Sequence, residues 1–539
     1  MKRQKQIFHV GLLFFFLFFF TACGNSYKST DLTFSNANKL YELVPENKTG
    51  ALASGVNLPP SPVANYLPKD FNRENYAHIE ENGFRETMRS PLSTFSVDVD
   101  TASYSNVRRM LTENQFPQTG AVRTEELINY FDYDYPLPQG EAPVALVHEL
   151  SGCPWAEGHQ LLRIGLKARP VDMSQSSHSN LVFLIDVSGS MSDDLNLVKA
   201  SMKMLADQLR AKDRVAIVVY AGAAGTVLEP TPGNESKAIK EALDRLQAGG
   251  STAGSEGVEL AYRLAEQSFI KGGNNRVILA TDGDFNVGLT SEAALVKLIE
   301  KKREKGIFLT VLGFGAGNYN DVTAESLADH GNGNYSYIDN LLEAKKVLVQ
   351  EVGGTLVTVA KDVKLQVEFN PTKVNSYRLI GYENRLLNAE DFADDKKDAG
   401  DMGAGHTVTA LYEIIPTDSK AGNNANLRYQ ETIPSTVALN SNELALIKYR
   451  YKDPDGDVSK LLSKPVAATS LPIEKSSPDQ RFSAAVSAWG MLLKNSDYKG
   501  KTSFEWILTT ARNAKGKDPQ GERTEFIRLV ELSWMLARR

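Results

Sequence analysis

Leu181-Val182-Phe183-Leu184-Ile185-Asp186-Val187-Ser188-Gly189-Ser190 is the stretch that decides the fold. Its apolar run, 181–185, reads as a strand buried on both faces, as in a parallel sheet. The run ends in Asp-x-Ser-x-Ser, which sets one carboxylate and two hydroxyls at the tip of a sheet. All three are oxygen donors and suit a hard cation such as Mg²⁺. Outward from this point strands and helices alternate. The pattern predicts a helix over 195–209, a strand over 215–220, a short strand over 226–228, and helices over 236–247 and 256–268. A strand at 277–280, a helix at 291–304, strands at 307–312 and 335–338, and a helix at 341–351 complete the block. Such alternation over about 170 residues predicts an α/β, doubly wound, Rossmann-like sheet.

On both sides the grammar changes. Two strand-like runs lie between 144 and 171, and clean alternation marks 363–369, 407–413 and 444–451. These predict a β-sandwich in two parts, 141–177 and 353–470, with the α/β domain (178–352) inserted so that its ends leave on one side. Residues 86–140 read as a small α+β N-terminal module, with a strand at 95–100 and helices at 104–112 and 125–130. Residues 471–539 read as a helical C-terminal region, in which Phe482, Ala485, Val486, Trp489 and Leu492 recur at three and four. Asp453-Pro454-Asp455-Gly456 is a turn by its chemistry.

The N-terminus belongs to a different class. Lys2, Arg3 and Lys5 precede the apolar stretch 7–20. As a helix this stretch spans about 21 Å, short of the roughly 30 Å of a bilayer core, so 1–22 reads as a signal peptide. Phe20-Thr21-Ala22-Cys23 resembles a bacterial lipobox, which implies a diacylated Cys23 at the mature N-terminus, followed by a Ser-, Asn- and Pro-rich tether over 23–85. Gly24 after the cysteine, with no acidic residue immediately behind it, implies an outer-membrane anchor facing the periplasm. Removing 1–22 takes away three basic residues and no acidic one, leaving 57 Lys and Arg against 66 Asp and Glu, a net charge of −9. That balance, without any basic stripe, argues against a nucleic-acid partner. Only Cys153 then remains as a thiol, and it reads as a small buried residue.

Three segments can meet beyond the strand ends of the α/β domain: Asp186, Ser188 and Ser190; Thr252, behind Gly249-Gly250-Ser251; and Asp282, after the strand at 277–280. In a doubly wound sheet a ligand sits where the strand order reverses. The set resembles the von Willebrand factor A (vWA) domain and its metal-ion-dependent adhesion site. The resemblance implies that Ser188, Ser190 and Thr252 touch a Mg²⁺ (or Mn²⁺ or Ca²⁺), with Asp186 and Asp282 acting mainly through water. It also implies a partner protein whose Asp or Glu completes the coordination. The flanks, Ser96-Val97-Asp98-Val99-Asp100, Arg123–Phe131, Phe369-Asn370-Pro371, Tyr377–Arg385 and Ser477–Val486, resemble YfbK-type vWA proteins.

Little here suggests catalysis. A Gly-x-Ser-x-Gly elbow is absent, the histidines are scattered, and no His-Glu-x-x-His spacing occurs. Gly313-Phe314-Gly315-Ala316-Gly317-Asn318 follows a strand, yet the third glycine of a dinucleotide fingerprint would fall on Asn318. Asp98, Asp100 and Ser103 allow either a second cation site or a strand turning into a helix cap. The expected function is Mg²⁺-dependent protein binding by a lipid-anchored envelope protein. The alternatives are an adaptor for a membrane-bound AAA+ ATPase or assembly machine and, further off, a metal-dependent hydrolase.

Overall fold

Strand Ser179–Asp186 is buried along its whole length, as its uninterrupted apolar run demands. In the computed structural model, which describes residues 73–172, 176–251, 254–284, 292–419, 433–454 and 456–538, it lies at the middle of a six-stranded sheet. The order across that sheet is Tyr335–Tyr337, Ile307–Gly313, Asn274–Thr281, Ser179–Asp186, Arg214–Tyr220 and Ala224–Pro232. All pairs are parallel except the last. Successive side chains of the central strand feed opposite cores. Leu181, Phe183 and Ile185 join Val198, Met202 and Leu205, while Val182 and Leu184 join Val258, Ala261 and Leu327.

The helices expected from periodicity are present, with one addition. Asp321–His330 forms a helix between the last two strands, capped by the Asn320 side chain, which accepts the Thr323 N–H. Its apolar positions are few, so periodicity did not mark it. The expected helix at 341–351 is instead a short helix, Leu341–Lys345, continued by a wider turn over Lys346–Gln350.

The sandwich carries the α/β domain as an insertion. One sheet orders Arg85–Glu86, Val374–Ile380, Thr407–Pro416, Gln160–Ala168 and Val144–Gly152. The other orders Leu386–Leu387, Leu92–Ser96, Thr358–Phe369, Glu443–Lys452 and Lys460–Ala467. Their facing side chains, among them Phe95, Leu162, Ile164, Leu365, Val367 and Tyr412, make one core. Both connections to the inserted domain are held by the same turn. Gly405 N–H donates to Arg169 O (3.1 Å) and Ala404 N–H to Val357 O (2.8 Å), so the two ends do leave together.

Residues 86–140 have no core of their own. The strand expected at 95–100 runs instead from Leu92 to Ser96 and lies inside the second sandwich sheet. Helices Ala102–Thr112 and Thr124–Asn129 send Tyr104, Leu111 and Leu127, with Phe131 just beyond the second helix, into a third core with Phe482, Trp489 and Phe526 of the C-terminal helices. Leu161 and Leu411 close that core from the outer face of the first sheet. The expected signal peptide, the tether to residue 72, Cys23 and Thr252 lie outside the described residues.

A charged seam joins the α/β domain to its mount. Arg123 meets Asp321 (2.5 Å), Glu126 and Glu325 (3.8 Å) with its side chain only 1% exposed. Arg385 meets Asp329 (2.7 Å), Asp100 (3.0 Å), Glu325 (3.4 Å) and Asp98 (3.5 Å). Arg108 holds Asp339 (2.5 Å) and Glu343 (2.8 Å). Asp98 and Asp100 thus take an arginine as their cation, and the Ser103 hydroxyl is spent on Ala121 O and the Arg123 N–H. Among the described residues they are part of no cluster of three or more potential metal ligands.

Asp401 lies on the same seam, accepting the Asp362 N–H (3.2 Å) and an Asn332 side-chain N–H (3.1 Å). Burial, aided by Asp362 and Asp398 against those hydrogen bonds, lifts its carboxyl to about 7. A folded-state value above the ordinary one means that the native protein binds the extra proton. The stability that Asp401 contributes is therefore full below about pH 4 and is lost as pH rises toward 7, roughly 2 kcal/mol once partial exposure is allowed for. Urea denaturation between pH 5 and pH 8 should show this slope, and Asp401→Asn should flatten it; parallel curves for the two proteins would refute it.

Candidate metal site

The strand order reverses at Ser179–Asp186, which has Arg214–Tyr220 on one side and Asn274–Thr281 on the other. Ligand sites form beyond the carboxyl ends of strands at such a reversal. Ile185 stands opposite Ala280, so the chains leading to Asp186 and Asp282 leave the sheet side by side. Both carboxylates are buried.

The Asp-x-Ser-x-Ser loop is shaped by its own hydrogen bonds. Asp186 Oδ1 accepts the Ser188 N–H (2.8 Å). Val187 N–H donates to Tyr220 O (3.0 Å) and Gly189 N–H to Gly250 O (3.1 Å), while Gly249 N–H returns to Val187 O (2.8 Å). The segment leading to position 252 is therefore pinned onto the serine loop at Gly249 and Gly250. Gly250 has φ +89°, and a Cβ there would stand 3.2 Å from Gly222 N, which makes glycine necessary. The Ser188 and Ser190 hydroxyls are 3.0 Å apart, Ser188 buried and Ser190 exposed. Ser188 opens a short turn, Gly189–Ser192, but its hydroxyl does not cap it.

Asp282 is fixed from the other side. Its Oδ1 accepts the Asp284 N–H (3.0 Å), its Oδ2 accepts a side-chain N–H of Asn318 (2.9 Å), and its carbonyl accepts the Asn320 N–H (3.1 Å). Gly315, at φ +89°, nests against both acids at the rim. A Cβ there would lie 3.3 Å from Asp194 Oδ2 and 3.5 Å from Asp282 Cβ. Neither Asn318 nor Asp194 was legible as part of the site. Asn318 carries no metal-ligand signature and stands where a discarded nucleotide fingerprint would have wanted glycine.

The donor set fits a hard divalent cation. Asp186 Oδ2 is buried without a well-formed hydrogen bond, with only the looser influence of the Tyr220 hydroxyl on it. Burial, reinforced by Asp282 and opposed by Ser188, lifts the Asp186 carboxyl to about 6. A nearby cation would relieve both that desolvation and the repulsion between the two acids. Among the described residues no group of three or more His, Cys, Asp or Glu side chains could hold a metal ion, and the further oxygen donors beside the two acids are the serine hydroxyls. Four of the five expected donors come together: Asp186, Ser188, Ser190 and Asp282.

The other candidates are structural. Gly456 N–H closes a turn on Asp453 O (3.0 Å). His159 is bonded to Glu413 (2.6 Å), and burial pushes the Cys153 thiol well above its ordinary range, which leaves it unreactive.

Comparison with known proteins gives three family models that match the chain. The model described as von Willebrand factor type A domain matches residues 180–350. One described as Uncharacterized protein YfbK, C-terminal, matches 354–536, and one described as von Willebrand factor matches 70–163. The chain is 45% identical over 467 residues to the Uncharacterized protein YfbK of Escherichia coli K12, covering 85% of this chain and 80% of that one. It is 27% identical over 319 residues to the Uncharacterized protein sll0103 of Synechocystis, covering 57% and 70%. Among solved structures, a von Willebrand factor type A protein from Catenulispora acidiphila aligns with TM-score 0.39 at 16% identity, over 74% of this chain and 98% of that one.

Proposed function

The chain belongs to the YfbK family of vWA-domain proteins, and from that premise we propose that it is a lipid-anchored envelope protein that grips a protein partner through a Mg²⁺-dependent site. The observation that carries this reading is the convergence of Asp186, Ser188, Ser190 and Asp282 at the strand-order reversal, with one Asp186 carboxylate oxygen buried and met only loosely, by the Tyr220 hydroxyl. Bound there, Mg²⁺ would supply an open coordination position for a carboxylate from another molecule.

The protein's own groups set up that capture. Ser188 and Ser190 are neutral donors, so they hold an ion without cancelling its charge. Asp186 and Asp282 are locked by backbone and Asn318 hydrogen bonds, which keeps them from swinging in to neutralise it. The Ser188 hydroxyl is shared between Ser190 and the Asp186 carboxylate, and a carboxylate committed to the ion is a poor base for activating it as a nucleophile. This favours gripping over turnover. The lipobox-like run ending at Cys23 supports a membrane anchor, and Gly24 an outer-membrane position facing the periplasm.

The test is crosslinking capture of partners from native envelopes, with Mg²⁺, with EDTA, and with Ser190→Ala, whose exposed hydroxyl can be removed with little effect on the fold. A partner retained in Mg²⁺ and lost in both other arms is expected. A partner indifferent to EDTA and to the substitution would sink the reading.

A further inference from the structure

The metal site is braced from outside the α/β domain by the first residues that follow the N-terminal region. Arg73 N–H donates to Gly317 O (2.7 Å), Asn75 N–H donates to Tyr319 O (2.9 Å), and Asp321 N–H donates to Asn75 O (3.1 Å). Residues 73–75 therefore lie along the loop 314–320 as a short added strand, with Asn75 bridged to Asn320. Glu74 supplies a second hold. Its carboxylate accepts the Gly317 N–H (2.8 Å) and takes both oxygens to Arg109 (2.8 and 2.9 Å), with the Glu74 side chain 1% exposed. Arg109 in turn lies over the Tyr337 ring (5.6 Å), and the Tyr337 hydroxyl donates to Gly315 O (2.5 Å).

The braced loop is the one that carries Asn318, whose side chain holds Asp282 Oδ2, and Asn320, whose N–H holds the Asp282 carbonyl. It also carries Gly315, seated against Asp194 and Asp282. Gly315 and Gly317 both have positive φ (+89° and +84°), which glycine adopts without steric cost. The loop is held from outside at Gly315 by Tyr337, and at Gly317 and Tyr319 by residues 73–75.

Resting on the metal-dependent reading above, we infer that Asn318 is a positioning residue for the metal site and that segment 73–76 is the clip that keeps it in place. Engagement of the clip sets how tightly the site holds its ion. Partners that orient metal ligands typically account for about 10–100-fold in affinity. Whatever disengages residues 73–76 loosens the grip.

The experiment is a Mn²⁺ titration of the chain in solution, followed by electron paramagnetic resonance, with metal-free melting temperatures measured alongside. Asn318→Ala is expected to weaken Mn²⁺ binding about tenfold with a metal-free melting temperature near the parent's, and Glu74→Ala and Asn75→Pro about fivefold, Glu74→Ala with a lowered metal-free melting temperature because it leaves Arg109 without its buried partner. Glu74→Gln, which keeps the bond to Gly317 but not the charge facing Arg109, should recover part of the loss. If Asn75→Pro does not fold, Glu74→Gln and Asn318→Ala decide, since neither side chain belongs to an apolar core. Parent and variants binding Mn²⁺ equally would overturn the clip and leave the metal-dependent reading standing. A parent that binds no Mn²⁺ would overturn both.

Discussion

Replacing Arg123 with methionine is expected to cost about 3–5 kcal/mol of folding stability, the range for removing one partner from a buried ionic group. Its guanidinium is surrounded by Asp321, Glu126 and Glu325, and all four side chains are at most 10% exposed. Methionine fills the volume but leaves three acids facing one another. They can respond only by taking up protons or by letting helix Asp321–His330 move off its mount. Burial already lifts Glu126 to about 7 despite Arg123, so the cluster has little capacity for further charge. Arg123→Lys should recover part of the loss, since a single ammonium cannot reproduce the fork that reaches Asp321 and Glu126 together. Urea denaturation at pH 7.5, with amide exchange of 321–330, reads both effects. A loss below about 1 kcal/mol would show that the seam is already protonated and contributes specificity more than stability.

Ser188→Ala should abolish metal binding at accessible concentrations, at least about a hundredfold in affinity or roughly 2.7 kcal/mol. The hydroxyl is buried, sits at the strand tip and is bonded to Ser190 and to the Asp186 carboxylate, so its removal takes a donor from the site and one hydrogen bond from Asp186. The metal-free melting temperature of the variant should therefore fall by only a few degrees, the cost of about one buried hydrogen bond. Millimolar Mg²⁺ should raise the parent's melting temperature through mass action on the native state and leave the variant's unmoved. Equal stabilisation of the two by Mg²⁺ would place the ion elsewhere.

Much of the α/β domain was legible because its strands are buried on both faces and read as apolar runs, such as 181–185 and 277–280. The Asp-x-Ser-x-Ser motif was legible because it follows such a run. Helix Asp321–His330 was not: it packs through Ala324, Leu327 and Ala328 and spends Asp321, Glu325 and Asp329 on arginines from the mount, so its sequence looks polar. The division of residues 86–140 between two cores was hidden for a related reason. Strand Leu92–Ser96 takes its place only by pairing with Thr358–Phe369, a contact that local periodicity does not encode. Asn318 escaped because its role lies in one hydrogen bond to a residue 36 positions away.

The turn at Ala404 and Gly405, which holds both connections to the inserted domain, has a consequence for how the chain acquires its structure. Strand Gln160–Ala168 must find Thr407–Pro416 across the whole inserted segment, a closure whose entropic cost grows with the length of the intervening chain. Once the inserted domain has folded, its two ends emerge side by side and that long loop becomes a short one. The α/β domain is then expected to fold first and to act as a template for the sandwich around it. Refolding followed by pulsed amide exchange should find protection in Ser179–Asp186 before Gln160–Ala168, and a domain whose ends were driven apart would leave the sandwich slow to close.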